Sequence, residues 1–258
     1  MTDAPRHEEW DSFSRDLARA RIDHRCLPVP AHGPTSIADA YQLQEAILTH
    51  LKEPIGAWKA GVDPEGAVWG SPLPCTALKT ARSHWSTPAR IVRGLEVELA
   101  FRLSPQVLEE EKLLPEETFF REGILEMACA IEVVSSRFLD WPHIPEFWKL
   151  ADLQNHGALF LGESAPYDPD FPYLTPRVSL LVEGHEQAKF PASNPAGDPR
   201  ALLQPFLRQC RDRGLPIEPH HWITTGSYSG VYFLKDSGHI QATLDGLAPL
   251  TVLLLSSP

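Results

Sequence analysis

The first fifty residues carry apolar side chains at helical spacing. Within residues 8–22 and again within residues 37–52, apolar residues recur three or four positions apart, which places them on one face of a helix. The second segment follows Ser36-Ile-Ala-Asp39, which is similar to a capping box. The pattern predicts a helical N-terminal segment over about residues 1–53. Frequent Gly and Pro then predict a loop-rich stretch over residues 54–75.

From residue 91 the spacing of the apolar residues changes to two, the repeat of a β-strand. The predicted strands are 91–103, 129–134, 177–183, 221–225, 239–244 and 247–255, and the predicted helices are 115–127 and 199–213. Asp198 is the predicted N-cap of the second helix, and Asp245-Gly246 predicts a hairpin because Gly accepts a positive φ. We therefore predict one α+β domain over residues 1–258 with a substantial central sheet.

Composition narrows the functional classes. The 258 residues carry a net charge of −11 with Lys and Arg scattered along the chain, so we expect neither nucleic acid nor a membrane as partner. The four cysteines lie far apart, as is typical of reduced cytoplasmic thiols. The charged N-terminus and the lack of a long apolar run predict a soluble, cytoplasmic protein. An acidic substrate would need a local cation against this net charge.

Three glutamates are the main candidates for chemistry. Glu96 and Glu98 lie two apart in a predicted strand and so share one of its faces, while Glu132 has apolar neighbours on both sides. A buried carboxylate must be protonated, paired or metal-bound, so a salt bridge from Glu132 to Arg137 and a solvated strand face are the alternatives. Taken together, the three carboxylates favour Mg²⁺ or Mn²⁺, which prefer oxygen ligands. Zinc is less favoured because no histidine pair stands at ligand spacing nearby.

Two basic residues are candidates beside the glutamates. Lys59 lies in a short apolar run, where desolvation would lower the pKa of its ammonium group, although it could equally extend to solvent at a strand edge. Arg137 could clamp a carboxylate with its guanidinium fork, or pair with Asp140 or Glu132.

Two polar segments complete the candidates. Asp152, Gln154, Asn155 and His156 form a cluster that would either line a pocket or end a helix. The small residues of 224–230 follow a predicted strand and offer backbone amides to an anion.

Several of these segments resemble one known family. They are 94–101, with Glu96 and Glu98, 130–141, with Glu132 and Arg137, and 150–162, with Asp152. In this order they are similar to the hydratase/decarboxylase branch of the fumarylacetoacetate hydrolase superfamily, and the resemblance runs from about residue 36 to residue 255. Where typical hydratases carry Asp-Phe-Gly, this chain reads Val68-Trp69-Gly70.

The resemblance implies a mixed, rolled β-sheet flanked by helices and a homo-oligomer. It also implies Mg²⁺ or Mn²⁺ at Glu96, Glu98 and Glu132, a catalytic Lys59 and a small anionic 2-keto acid as substrate. The candidates for substrate binding are Arg137, Asp152, Gln154, Thr225, Gly226 and Ser227. Hydration is the preferred reaction. Decarboxylation, carbon–carbon hydrolysis of an acylpyruvate-like substrate and a catalytically silent member are the alternatives.

Overall fold

The computed structural model describes residues 4–63, 65–81, 83–88, 91, 93–110, 112–187, 192–215 and 217–257, with side chains from residue 9 onward. Its helices are α1 Ala4–Ile22, α2 Ile37–Leu51, α3 Pro105–Glu109, α4 Glu116–Thr118, α5 Glu146–Ala151 and α6 Leu203–Asp212. Shorter helical turns span Cys75–Ala77, Phe119–Gly123, Leu153–Asn155 and Pro199–Leu202. None of the helices in these ranges is long and apolar enough to cross a membrane.

The strands form two mixed sheets. They are β1 Ile55–Val62, β2 Val68–Pro74, β3 Leu78–Thr80, β4 His84–Pro88, β5 Gly94–Leu103, β6 Ile124–Val134, β7 His156–Leu161, β8 Ala165–Pro166, β9 Val178–Val182, β10 His185–Glu186, β11 Trp222–Ser227, β12 Tyr232–Phe233, β13 Gly238–Leu244 and β14 Leu250–Ser257. The larger sheet runs β2-β1-β11-β5-β6-β7-β3, with β12 beside β5 and β8 beside β6. The smaller sheet runs β10-β9-β13-β14-β4.

The predicted N-terminal helices and C-terminal hairpin are confirmed. The Ser36 side chain accepts a hydrogen bond from the Asp39 amide and so caps α2, and Lys52 ends that helix in the left-handed conformation. At the other end of the chain β13 and β14 pair antiparallel, and Gly246 in the connection has φ 69°. Asp198 caps the turn that leads into α6 through its contact with the Arg200 amide, as predicted.

Two predictions of local structure are wrong. Much of the stretch 54–75 is not loop but the antiparallel pair β1 and β2, whose turn is held by the Asp63 carboxylate accepting from two backbone amides. The predicted helix 115–127 ends at Gly123, and the chain from Ile124 continues as β6. Pairing with β5 and β8 there satisfies the backbone and overrides the helical spacing.

The core lies between the two sheets and leaves the opposite face of the larger sheet for the glutamates. Leu95, Val97 and Leu99 of β5 are fully buried in a cluster that includes Leu180 and Ile240 of the smaller sheet. Because side chains alternate along a strand, the residues between them point to the other face. The alternation predicted for this strand is confirmed, with its apolar side in the core.

Candidate metal centre

The register of β5 and β6 brings the three glutamates together. Glu96 pairs directly with Glu132 across the two strands, and Glu98 follows two positions along β5 on the same face. Each of the three residues offers one carboxylate oxygen, and these oxygens all lie within 4.8 Å of one another. Glu98 and Glu132 are fully buried. The structure therefore brings together the three residues that the sequence predicted as ligands.

These carboxylates are held in a setting that disfavours their charge. Burial, together with the charge of neighbouring glutamates, raises the pKa of Glu96 and of Glu98 to about 8. Glu98 Oε1 is buried and has no hydrogen-bond partner among the residues described. A divalent cation with oxygen ligands would offset the repulsion and coordinate this oxygen. The donor set thus fits Mg²⁺ or Mn²⁺.

Lys59 is the cation that the structure places against this cluster. Its Nζ lies 2.7 Å from Glu132 Oε2 and 2.8 Å from Oε1, and its side chain is 12% exposed. Desolvation alone would lower the pKa of Lys59, but Glu132, Glu96 and Glu98 outweigh it and raise the pKa above its ordinary value. The expectation of a lowered pKa is therefore wrong. Lys59 is a protonated ammonium group bound to a carboxylate.

Glu98 is oriented by the strand β11. The Thr224 hydroxyl donates a hydrogen bond to Glu98 Oε2, and the Gly226 amide donates to the same oxygen at 3.1 Å. A bulge in the pairing of β11 with β5 and the φ of 86° at Gly226 turn this amide toward the carboxylate. The sequence indicated that this segment offers backbone amides to an anion, and the structure directs one of them, the Gly226 amide, to the Glu98 carboxyl group.

The other two predicted residues of this segment face elsewhere. The Thr225 hydroxyl donates to the Leu99 carbonyl at 2.8 Å, and the Ser227 hydroxyl donates to the Gly230 carbonyl at 3.2 Å. Thr224, which was not a predicted site residue, is the threonine that contacts Glu98. Alternation along β11 decides this, because Thr224 pairs in register with Lys59.

His156 is a site residue whose role the sequence left open. Its Nδ1 lies 3.0 Å from Glu132 Oε1, and its side chain is fully buried. Burial, followed by the charges of Arg21, Lys59 and Arg137, holds the pKa of His156 well below its usual range. The neutral ring therefore donates its Nδ1–H to the carboxylate. Because Glu132 also binds Lys59, two donors fix this one glutamate.

The turn before His156 has an unusual backbone. Leu153, Gln154 and Asn155 have φ of 51°, 52° and 56°, in the left-handed region that side chains disfavour. The Gln154 carbonyl accepts from Lys59 Nζ at 3.5 Å. Three such residues in succession are rare outside sites that need a special shape. The turn carries Gln154 to Lys59 and His156 to Glu132.

Arg137 and Asp152 bind each other. Arg137 Nε lies 2.8 Å from Asp152 Oδ1, and the Arg137 amide donates to Asp152 Oδ2 at 2.8 Å. Both side chains are buried. Of the two alternatives for Arg137, a pair with Glu132 or Asp140 is not formed: Arg137 binds Asp152, and Glu132 pairs with Lys59 and His156. The structure does not bring Arg137 or Asp152 to the glutamate oxygens.

Comparison with known proteins rests on structure. No family model and no curated sequence relative matches the chain. A solved structure of 4-oxalocrotonate decarboxylase from Pseudomonas putida G7, complexed with magnesium and adipate, is similar at a TM-score of 0.77 and 14% identity, over 96% of this chain and 98% of that one. Fumarylpyruvate hydrolase from Pseudomonas aeruginosa, in complex with Mn²⁺ and pyruvate, is similar at a TM-score of 0.54 and 17% identity, over 80% of this chain and 91% of that one.

A protein assigned to the fumarylacetoacetate hydrolase family from Yersinia pestis CO92 is also similar, at a TM-score of 0.53 and 16% identity over 80% of this chain and 95% of that one. Sequence identities this low establish a shared fold but not a shared reaction. The predicted fold is confirmed: the chain has the curled mixed sheet with flanking helices of the fumarylacetoacetate hydrolase fold.

Proposed function

We propose that the protein is a divalent-metal-dependent enzyme of the fumarylacetoacetate hydrolase superfamily that acts on a small anionic 2-keto acid. The observation that carries this proposal is the cluster of Glu96, Glu98 and Glu132, with carboxylate oxygens within 4.8 Å of one another and Lys59 against Glu132. Mg²⁺ or Mn²⁺ held by these residues would supply Lewis-acid stabilisation of charge that develops on the 2-oxo oxygen.

Lys59 is the proton donor in this proposal. Its ammonium group is charged and partly desolvated, and Glu132 holds it beside the cluster. An ammonium there attracts the carboxylate of an incoming keto acid and can deliver a proton to the carbon skeleton or the enolate oxygen. Glu132, fixed by Lys59 and His156, keeps both the ligand oxygen and the proton donor in place.

Decarboxylation is the reaction that this set of residues supports best. Loss of CO₂ breaks one carbon–carbon bond, moves the electron pair to the 2-oxo oxygen and then needs one proton, which Lys59 can give. Hydration also needs a base that activates water. His156 is neutral but its Nε2 is buried without a hydrogen-bond partner among the described residues. Hydration stays a prediction.

The test is the variant Glu98→Gln. We expect it to lose Mn²⁺ binding, measured by calorimetry, and to lower turnover of 2-oxo-3-hexenedioate by more than about 100-fold. Glu126→Gln is the matched control, because Glu126 lies on the same strand as Glu132 but pairs with Arg102. CO₂ release from 2-oxo-3-hexenedioate reports decarboxylation, and consumption of 2-hydroxypenta-2,4-dienoate, added as substrate in a separate assay, reports hydration. Full activity of Glu98→Gln, or no Mn²⁺ bound by the parent protein, would refute the proposal.

A further inference from the structure

A second cavity lies behind the turn that carries His156. It measures about 400 Å³ and is bounded by the end of α1, the end of α2 and the strands β3 and β4. A smaller recess of about 30 Å³ shares Arg21, His24, Trp85 and Gly157 with it, so the two are continuous. Neither is lined by Lys59 or by any of the three glutamates. The cavity is distinct from the candidate metal centre.

The backbone at His156 separates the two sites. The His156 ring contacts Glu132, whereas its carbonyl accepts from Arg21 Nη1 at 2.6 Å. Gly157, the next residue, borders the cavity, and a Cβ built there would lie 3.5 Å from Trp85 Cη2. The metal centre and the cavity therefore lie on opposite sides of the same short segment.

Positive charge is concentrated in this cavity although the protein as a whole is acidic. Arg21 and Lys79 line the larger part, and Arg21, Arg137 and Arg25, which pairs with Asp23 at 3.7 Å, line the recess. Glu53 is the acidic residue of the lining, and its carboxylate accepts hydrogen bonds from Thr76. A cluster of cations in a protein of net charge −11 is a local exception to the charge of the surface.

One guanidinium in the recess has unused hydrogen-bonding capacity. Arg137 is buried, and its Nη2 has no hydrogen-bond partner in the part of the chain described. Among the described residues, Asp152 is the one carboxylate bound by both Arg137 and Arg21, so these three side chains together carry one excess positive charge. Burial and the charge of Arg137 lower the pKa of Arg21 to about 9, which reflects the same imbalance. An anion at this point would complete the pairing.

We propose that this cavity binds a small organic acid through its carboxylate. The recess has room for little more than one water-sized group, which suits a planar carboxylate oxygen rather than a tetrahedral phosphate. Guanidinium and carboxylate match in shape and charge. Trp85, whose ring lies edge-to-face with that of His24 at 6.3 Å between ring centroids, offers an aromatic surface for the body of the acid in the larger cavity. The volume of the larger cavity is within the usual range of small-molecule sites.

Benzoate is the probe, and benzamide is its uncharged control. The protein is labelled with 5-fluorotryptophan, and the Trp85 resonance is assigned from Trp85→Phe. We expect benzoate to shift this resonance saturably at constant ionic strength and benzamide to leave it unmoved. Arg137→Gln should weaken the response about tenfold. Ser86→Phe, which fills the cavity from an exposed position of β4 without altering the arginines, should abolish it.

Arg208→Gln, which removes an exposed arginine outside the cavity, is the matched control and should respond like the parent protein. Glu98→Gln should also respond like the parent, which separates this site from the metal centre. No saturable shift, an equal response to benzamide, or loss of the response in Glu98→Gln would overturn the proposal. Inorganic phosphate that binds as tightly as benzoate would overturn the assignment to carboxylates.

Discussion

At the scale of single residues, His156 decides how firmly Glu132 is held. We expect His156→Leu to lower the affinity for Mn²⁺ by about 10–100-fold, because Glu132 loses a donor that orients its carboxylate. His156→Asn retains an amide donor at similar reach and should recover part of the loss. Calorimetric titration with Mn²⁺ measures the affinity of both variants. Equal affinities in the two variants would show that the contact does not position the ligand.

The raised pKa values of Glu96 and Glu98 make stability depend on pH. Each is raised from 4.5 to about 8, so between these values the folded protein binds more protons than the unfolded chain. The stabilisation is fully present below pH 4.5 and is lost as pH rises through 8. The lowered pKa of His156 acts in the opposite direction, but only below its ordinary value of 6.5.

We therefore expect the metal-free protein to lose stability between pH 6.5 and pH 8, by up to about 1.4 kcal/mol per pH unit for each glutamate. Urea unfolding in the presence of EDTA measures this slope. Glu98→Gln removes one titrating group and should make the slope of stability against pH shallower. Saturating Mn²⁺ binds the ionised carboxylates and should reverse the sign of this slope. Stability that rises with pH in this window would contradict the raised pKa values.

Some residues of the site could be predicted from the sequence and others could not. Glu96, Glu98 and Glu132 follow from alternation within two strands and from the apolar neighbours of Glu132. The contacts of His156 and Thr224 with those glutamates depend on the order β1-β11-β5-β6-β7, which links distant parts of the chain. The partner of Arg137 depends likewise on the turn Leu153–Asn155, where only Asn155 is a residue type that favours the left-handed conformation.

At the scale of elements, the turn Leu153–Asn155 stores backbone strain at the site. Gln154→Gly removes the side-chain clash at φ 52°, so we expect it to be more stable than Gln154→Ala by about 1 kcal/mol. The alanine variant loses the same side chain but keeps the clash, which isolates the backbone effect. Urea unfolding at fixed pH gives both free energies of unfolding.

The end of α2 provides a control for this prediction. Lys52 has φ 56° at a helix end outside the site. The free energy of unfolding of Lys52→Gly should therefore exceed that of Lys52→Ala by a similar amount. The two positions should differ in turnover, since Gln154 contacts Lys59 through its carbonyl and Lys52 does not. If Gln154→Ala is at least as stable as Gln154→Gly, the backbone at position 154 is not strained and the prediction is wrong.

Elements were predicted best where one face of each is buried. The helices α1 and α2 and the strands β5 and β13 show their periods plainly because one side of each meets the core and the other meets polar groups or solvent. The strands β1 and β2 were missed because Gly and Pro interrupt them and because most of β2 is buried on both sides. Periodicity carries no signal in such a strand.

At the scale of the whole molecule, the net charge of −11 opposes the capture of an anionic keto acid. Lys59 attracts the substrate only at short range and is itself paired with Glu132. Salt screens charges separated by more than about 10 Å at 0.1 M but screens a buried pair much less. Added salt therefore weakens the long-range repulsion more than the attraction inside the site.

We expect kcat/KM for 2-oxo-3-hexenedioate to rise about two- to fivefold when NaCl is raised from about 10 mM to about 150 mM. Neutralising two exposed carboxylates outside the site, in Glu109→Gln/Glu110→Gln, changes the net charge from −11 to −9 and should reduce this rise. Steady-state kinetics at matched Mg²⁺ measures both proteins. A kcat/KM that falls with salt would show instead that the local cations, rather than the charge of the whole molecule, govern capture of the substrate.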